Sequence, residues 1–159
     1  MDELLRILEN DSRATPQAIA RMTGRDLATV ESQIAEYERI GVIKNYKTVI
    51  DWERAGDSRV LAFIDVKVAP QRDVGFDDVA ERVYRYPEVH SVWLVSGDYD
   101  LRIVISGKTL NDVSSFVSQK LSTIDRINGT STHFVLKRYK EDHVVFAEQS
   151  SDQRLAVSP

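Results

Sequence analysis

Hydrophobic residues recur every three to four positions along the first 40 residues of the chain, which is the spacing of amphipathic helices. Residues 2–10 place their leucines on one side and begin with acidic residues, which favour a helix N-terminus. Residues 11–13 then form a turn. Between Thr15 and Gly41 the pattern predicts two more helices. We therefore expect three short helices before residue 43.

The ends of the second and third helices are marked by specific residues. Thr15 is suited to cap the second helix, and Pro16 fits its first position because the N–H that proline lacks would be unpaired there. Gly24 ends this helix, since glycine takes the left-handed conformation without a steric penalty. Asp26 then caps the third helix. The two helices are thus predicted to meet at a tight turn.

A helix-turn-helix typically has a small residue, a glycine four positions later and a buried aliphatic residue six positions after the glycine. Ala20, Gly24 and Val30 provide them, and the third helix has an inward stripe made by Leu27, Val30, Ile34 and Tyr37. In a helix-turn-helix, the second helix of the motif enters the major groove of DNA. Ordinary packing of two short helices gives a similar pattern, so this stretch alone leaves both interpretations open.

From residue 59 onward, strands and helices alternate. The pattern predicts strands at 60–68, 89–95, 101–106 and 132–138, helices at 76–86 and 109–124, and turns at Gly97-Asp98 and Asn128-Gly129. The order β-α-β-β-α-β is that of a ferredoxin-like fold, with both helices on one face of an antiparallel sheet. The fold class is therefore predicted as α+β. Residues 144–146 are predicted as an additional edge strand.

The other face of this predicted sheet is unusually apolar. Leu61, Phe63 and Trp93 are expected there, and a soluble monomer rarely exposes such residues together. We therefore expect the sheet of another subunit to cover this face. The predicted organisation is a helix-turn-helix domain at 1–43, an extended linker strand at 44–58, a ferredoxin-like domain at 59–146 and a flexible tail at 147–159.

Composition narrows the functional classes. The 159 residues include no cysteine, which excludes disulfides, thiolate metal sites and cysteine nucleophiles. No apolar run reaches membrane-spanning length and no signal peptide is recognised, so we expect a cytoplasmic protein without a membrane partner. The net charge is −4, and neither part of the chain is basic: residues 1–50 carry a net charge of −1 and the remaining residues −3. Any contact with DNA must therefore depend on a few well-placed cations.

Three stretches of the chain carry a resemblance to a known family. They are the helix-turn-helix running into residues 38–56, the segment 89–105 with its Gly-Asp-Tyr-Asp turn, and the segment 127–141. Together they resemble the Lrp/AsnC (feast/famine) family of transcriptional regulators over roughly residues 2–145. The resemblance implies a winged helix-turn-helix followed by a RAM-type ferredoxin-like domain. It also implies double-stranded DNA as partner, an amino acid as effector, and a homodimer that assembles to an octamer.

Carried over by position, the resemblance assigns the effector site to the turn between two strands and to the start of the last strand. The residues are Gly97, Asp98, Tyr99, Asp100, Thr130, Ser131 and Thr132. A carboxylate such as Asp100 could pair with the ammonium of an amino acid, while hydroxyls and turn N–H groups bind its carboxylate. The alternative interpretation is that Gly97-Asp98 is only a turn and that Asp100 caps it. No metal and no other cofactor are expected.

The predicted DNA-reading helix departs from the family. Family members usually carry arginines around positions 31–33, where this chain has Glu31-Ser32-Gln33. Gln33 could still read adenine and Arg25 guanine, with Thr29, Ser32 and neighbouring Ala28 on the same face. Phosphate contacts are assigned to Arg13, Arg21, Lys44 and Lys47. Because Glu31 and Glu36 repel phosphate, we expect weak binding per subunit, compensated by several linked subunits.

Two other functions are compatible with these residues. Tetrapyrrole decarboxylases resemble this family in fold, and His90, His133, Arg102, Tyr99 and Arg138 are the residues that such an enzyme could use. Isolated histidines on strands are more often structural, and a likeness of fold alone is only analogy. The other alternative is an amino-acid-sensing oligomer that no longer binds DNA. Transcriptional regulation without enzymatic activity is the predicted function.

Overall fold

The computed structural model describes residues 2–71 and 75–146, and these form two compact units. The first unit contains residues 2–50 together with 139–146, and the second contains residues 51–138. The predicted domains instead placed 139–146 with the ferredoxin-like domain. The predicted tail, 147–159, lies outside the described residues.

Three helices make up most of the first unit: α1 (Glu3–Asn10), α2 (Pro16–Thr23) and α3 (Leu27–Arg39). The side chain of the residue before each helix accepts a hydrogen bond from a backbone N–H of its first turn. These N-cap residues are Asp2, Thr15 and Asp26. The sequence predicted the caps at Thr15 and Asp26. Gly24 ends α2 in the left-handed conformation, with φ of 66°. The predicted helix-turn-helix is confirmed. Its core contains Leu4, Leu8, Ile19, Ala20 and Val30.

The second unit is a four-stranded antiparallel sheet with two helices. Its elements are β1 (Val60–Val68), α4 (Asp77–Tyr84), β2 (Val89–Leu94), β3 (Leu101–Gly107), α5 (Leu110–Gln119) and β4 (Ile127–Phe134), with a 3-10 turn at Leu121–Thr123. The strand order is β2-β3-β1-β4, which confirms the ferredoxin-like prediction. Across residues 2–71 and 75–146, every helix falls short of the length and apolarity needed to cross a membrane.

Alternate residues of the strands separate a packed face from an open face. Ile64 on β1 pairs in register with Ile103 on β3, and both are fully buried on the side of α4 and α5. The residues that alternate with these buried positions point to the open face, where the sequence predicted the apolar residues Phe63 and Trp93. There Phe63 is 36% exposed and Trp93 is 49% exposed. The single chain thus leaves large apolar side chains accessible on this open face.

The last strand begins five residues earlier than predicted. Asn128-Gly129, expected as a turn, lies within β4, where Gly129 pairs with Lys67. Arg126 takes the left-handed conformation in their place, with φ of 76°. Its guanidinium stabilises this geometry by donating to the carbonyl of Gly75 at 3.0 Å and to the Asp78 carboxylate at 2.6 Å. These long-range bonds override the local turn signal.

Two other predicted strands also differ from the strands of the structure. Residues 44–58 belong to no strand and include a turn at 52–56, so the predicted linker strand at 44–58 is wrong for this single chain. The strand predicted at 144–146 is observed at Val144–Val145, but it pairs with Lys140–Glu141 in a separate hairpin and not at the edge of the four-stranded sheet. We label these short strands β5 (Lys140–Glu141) and β6 (Val144–Val145). Asp142 and His143 both have positive φ, which is the geometry of a tight hairpin turn.

Candidate functional site

The first half of the exposed face of α3 carries small, uncharged side chains. Ala28, Thr29 and Ser32 lie there, opposite the buried Val30. The backbone N–H of Thr29 donates to the Asp26 carboxylate at 3.0 Å, which fixes the first turn of the helix. Small side chains allow the helix backbone to approach base edges closely. These three predicted DNA-contacting residues thus share one accessible surface.

The acidic Glu36 on this face is neutralised within the helix. The guanidinium of Arg39, one turn along, donates two hydrogen bonds to the Glu36 carboxylate, at 2.7 and 2.6 Å. We expected Glu36 to repel phosphate. Its pairing with Arg39 reduces that repulsion and also removes Arg39 as a free cation.

Two predicted base-reading residues, Arg25 and Gln33, belong to an internal network. Arg25 Nη1 donates to Gln33 Oε1 at 2.9 Å, and Arg25 Nη2 donates to Asp2 Oδ1 at 2.9 Å. The hydroxyl of Tyr37 donates to Asp2 Oδ2 at 2.6 Å. We assigned Asp2 only to the N-terminal end of α1. No local pattern in the sequence indicates that Asp2 contacts Arg25 and Tyr37, which lie 23 and 35 positions further along the chain.

This network lowers the pKa of the Asp2 carboxyl from 3.8 to about 2, mainly because the Tyr37 hydroxyl and then Arg25 donate hydrogen bonds to the charged form. A carboxyl with a lowered pKa in the folded state stabilises the protein above its unfolded pKa. That contribution is lost as the pH falls from about 4 to about 2. With the Asp2 side chain 17% exposed, we expect it to be about 1–2 kcal/mol.

Comparison of wild type with Asp2→Asn tests this pH dependence. Urea unfolding at a series of pH values should show a difference in the free energy of unfolding of about 1–2 kcal/mol at pH 6. The difference should shrink to a small fraction of this value by about pH 2, because the carboxyl is then about half protonated in the folded protein and almost fully protonated in the unfolded chain. A difference that stays constant over this range would contradict the assigned role.

The four residues predicted to contact phosphate are all exposed: Arg13, Arg21, Lys44 and Lys47. Within the described part of the chain, none of them takes part in an ion pair. Arg13, Lys44 and Lys47 line a common cleft of about 720 Å³ in the first unit. The hydroxyl of Ser12 donates to the Lys47 carbonyl at 3.3 Å, which joins the turn after α1 to residues 44–50. Three of the four cations therefore share one surface.

A second pocket, of about 590 Å³, lies at one end of the sheet in the second unit. Its lining includes three of the predicted effector-site residues and three others: Asp98, Tyr99 and Thr130, with Lys67, Asn128 and Gly129. The Lys67 ammonium donates to the backbone carbonyl of Asp98 at 2.7 Å. This bond brings the turn after β2 against the end of β1. A cation and a carboxylate thus face the same pocket.

Four predicted effector-site residues lie outside the pocket lining. Asp100 accepts the backbone N–H of Val68 at 2.8 Å, so its carboxylate holds the turn, as in the alternative interpretation. Gly97 supplies the turn with a φ of 136°. Ser131 and Thr132 continue β4 beyond the pocket. Sequence reasoning missed Lys67, whose place in the pocket follows from its register opposite Gly129.

Three of the five residues considered for an enzyme, Arg102, His133 and His90, lie on the open face and contact polar neighbours, whereas Tyr99 lines the pocket described above. Arg102 donates to both oxygens of Asp65, at 2.7 and 2.8 Å, and His133 lies 3.4 Å from the same carboxylate. The hydrogen bonds from Arg102 hold the pKa of the Asp65 carboxyl below its ordinary value, although burial opposes the shift. His90 lies 2.7 Å from the Ser106 hydroxyl. A bidentate ion pair therefore occupies the centre of the open face.

A small-residue α3 face and a charged pocket at the end of a ferredoxin-like sheet can be compared with known families. Residues 61–145 match the Lrp/AsnC ligand binding domain, and residues 3–44 match a winged helix-turn-helix DNA-binding domain. The chain belongs to the Lrp/AsnC family. The two matches correspond to the two folds described above, and they assign this family member to the transcriptional regulators.

Individual relatives agree with this assignment. The chain is 50% identical to the uncharacterised HTH-type transcriptional regulator YugG of Bacillus subtilis, over 99% of this chain and 95% of that protein. It is 34% identical to the HTH-type transcriptional regulator FL11 of Pyrococcus horikoshii, over 87% and 89% of the two chains. The regulator NMB0573 of Neisseria meningitidis, solved with L-Met, has the same fold, with a TM-score of 0.72, 23% identity and coverage of 89% and 93%.

Proposed function

We propose that the protein is a sequence-specific DNA-binding regulator whose activity responds to a free α-amino acid bound in the second unit. The observation that carries this proposal is that Lys67 and Asp98 line one pocket, with the Lys67 ammonium bonded to the Asp98 backbone carbonyl and not to its carboxylate. No cofactor besides the effector is part of the proposal. The proposed place of action is the cytoplasm.

The chemistry of the pocket is complementary to an amino acid. One of the three donors of the Lys67 ammonium is used by the Asp98 carbonyl, which leaves two for the carboxylate of a ligand. The Asp98 carboxylate is exposed and has no hydrogen-bond or ion-pair partner among the described residues, so it can accept the ligand's ammonium. Asp98 therefore takes the role that we first considered for Asp100. The L-Met complex of the Neisseria regulator supports this class of ligand.

DNA binding is proposed to use the exposed face of α3 for base reading and the exposed cations for phosphate. The phosphates beside the DNA major groove that α3 enters can be neutralised by the three cations of the cleft, Arg13, Lys44 and Lys47. Few cations are available, so each subunit is expected to bind weakly and with a shallow dependence on salt. Linked subunits on one DNA would raise the affinity by increasing the effective concentration.

The open face of the sheet is proposed as the homodimer interface, with further assembly to an octamer. Phe63 and Trp93 remain accessible there, beside the nearly buried Val104. A two-fold pairing of the same face would cover these side chains on both subunits at once. The bidentate Arg102–Asp65 pair at its centre satisfies the charges that such a contact would bury.

A mobility-shift titration on DNA from upstream of the protein's own gene tests the proposal. We expect a shift that prefers this DNA over a scrambled duplex, weakens at higher salt and changes when a pool of the twenty amino acids is added. Division of the pool identifies the effector. Absence of a shift at low salt would exclude the DNA-binding part, and an unchanged shift with every amino acid would exclude the effector part.

The variant Asp98→Asn tests the pocket directly. Loss of the carboxylate removes a charge-assisted hydrogen bond to the ligand's ammonium, so the affinity for the amino acid should fall about tenfold. Isothermal titration with the effector measures this. The control is Asp77→Asn, which makes the same change of charge at an exposed residue of α4. This variant should bind the amino acid as wild type does. Equal affinities for wild type and Asp98→Asn would exclude this role for Asp98.

A further inference from the structure

We infer that Asp2 is a positioning residue for DNA reading, because it anchors Arg25, and Arg25 in turn fixes the orientation of the Gln33 amide. This inference rests on the proposed DNA binding and adds a determinant of specificity to it. The contacts run from Asp2, the N-cap of α1, to Arg25, which precedes the N-cap of α3, and from Arg25 to Gln33 in the second turn of α3. All of it lies within the first unit.

The first step concerns the amide of Gln33. A guanidinium has only donors, so the atom of Gln33 that faces Arg25 Nη1 at 2.9 Å is the oxygen. The NH₂ group of Gln33 is therefore turned away from Arg25. The paired contact of glutamine with adenine needs both the amide oxygen and the NH₂ group. With its oxygen held, Gln33 presents donors, which suit a major-groove acceptor such as guanine O6 or N7.

The second step concerns the charge of Arg25. Its side chain is 32% exposed, but its ion pair with Asp2 neutralises it and holds it beside α1. In this position Arg25 supplies no net charge to a phosphate and does not extend as a guanine reader. The sequence prediction of direct reading by Arg25 thus becomes an indirect role, in which Arg25 orients Gln33.

The third step concerns the rigidity of Asp2. Its Oδ1 accepts the Leu4 N–H at 3.2 Å in addition to Arg25, and its Oδ2 accepts the Tyr37 hydroxyl. The carboxylate is therefore fixed by α1 on one side and by α3 on the other. Its side chain is 17% exposed. A carboxylate held in this way can impose one position on Arg25.

The variant Asp2→Asn tests the inference, because asparagine keeps the size of aspartate and one acceptor oxygen for the N-cap. It removes the charge that holds Arg25 and replaces the other acceptor oxygen by an NH₂ donor. Selection of binding sites from a randomised duplex pool measures base preference, and a salt titration measures the number of phosphate contacts. In Asp2→Asn we expect the base preference to change at one position of each half-site, toward adenine. We also expect the salt dependence to steepen by about 0.9 as Arg25 becomes free to contact a phosphate.

Two further variants separate positioning from stability. Tyr37→Phe removes another hydrogen bond from the same carboxylate and leaves the Arg25–Asp2 pair, so its base preference and salt dependence should equal those of wild type. Gln33→Ala should change the preference at the same position as Asp2→Asn. Thermal melts confirm that each variant is folded at the assay temperature.

The outcomes distinguish this inference from the proposed function. If wild type binds no DNA, both are overturned. If wild type binds DNA and Asp2→Asn shows the same base preference and salt dependence, only the positioning role is overturned. It is also overturned if Gln33→Ala leaves the base preference unchanged, or if Tyr37→Phe changes it as much as Asp2→Asn does.

Discussion

Ser32→Glu is expected to reduce the affinity for DNA by at least about 100-fold, which corresponds to ~2.7 kcal/mol. Ser32 lies on the exposed face of α3, beside Ala28 and Thr29. A glutamate there would place a carboxylate against the phosphates and base edges of the major groove, close to Glu31. Like charges in such a contact cost several kcal/mol. Fluorescence anisotropy with a labelled operator duplex measures the change.

Ser114→Glu is the matched control for this prediction. Ser114 is exposed on α5 in the second unit, so the substitution adds the same charge without touching the helix-turn-helix. We expect its DNA affinity to differ from wild type by less than about twofold, since a distant exposed charge is screened by salt. If Ser32→Glu and Ser114→Glu weakened binding equally, the exposed face of α3 would not be the DNA-reading surface.

Phe63→Asp is expected to raise the dissociation constant of the proposed dimer at least about 100-fold, because an unpaired carboxylate in a buried interface is strongly unfavourable. In the single chain Phe63 is 36% exposed, so the aspartate remains hydrated and the fold is retained. The nearby Asp65 carboxylate adds repulsion on the same face. Analytical ultracentrifugation at a series of concentrations measures the shift from dimer to monomer.

Leu110→Asp provides the control for Phe63→Asp. Leu110 is 56% exposed and is the first residue of α5, where an aspartate interacts favourably with the helix dipole. This variant is expected to dimerise as wild type does. Retention of the dimer by Phe63→Asp would place the interface on another surface and contradict the assignment of the open face.

The sequence predicted the elements whose signals are local. β1 was predicted with its observed limits, because a strand with apolar residues on both faces is distinctive. The start of α2 at Pro16 and its end before Gly24 also follow from local backbone chemistry. Asn128-Gly129 carried an equally clear turn signal, which failed because hydrogen bonds to the distant carbonyls of Ala69 and Gly75 and to the Asp78 carboxylate hold Arg126 in the turn conformation instead.

The sites were less predictable because they are made by contacts between distant residues. Lys67 reaches the pocket through the pairing of β1 with β4, which no motif encodes. Asp98 and Asp100 stand two positions apart in one turn, yet only the structure shows that Asp100 binds Val68. Likewise, the sequence predicts Arg25 as a guanine reader, whereas in the structure Arg25 is paired with Asp2.

The absence of a free cation on α3 has a consequence for how the protein is distributed along a chromosome. The helix carries three glutamates and one arginine, and that arginine, Arg39, is paired with Glu36. Arg25, just before the helix, is paired with Asp2, so α3 offers no net positive charge to an arbitrary duplex. Affinity for random sites depends almost wholly on such charge, and a genome offers millions of them. We therefore expect a large unbound fraction in the cell, and occupancy of true operators that follows protein concentration closely.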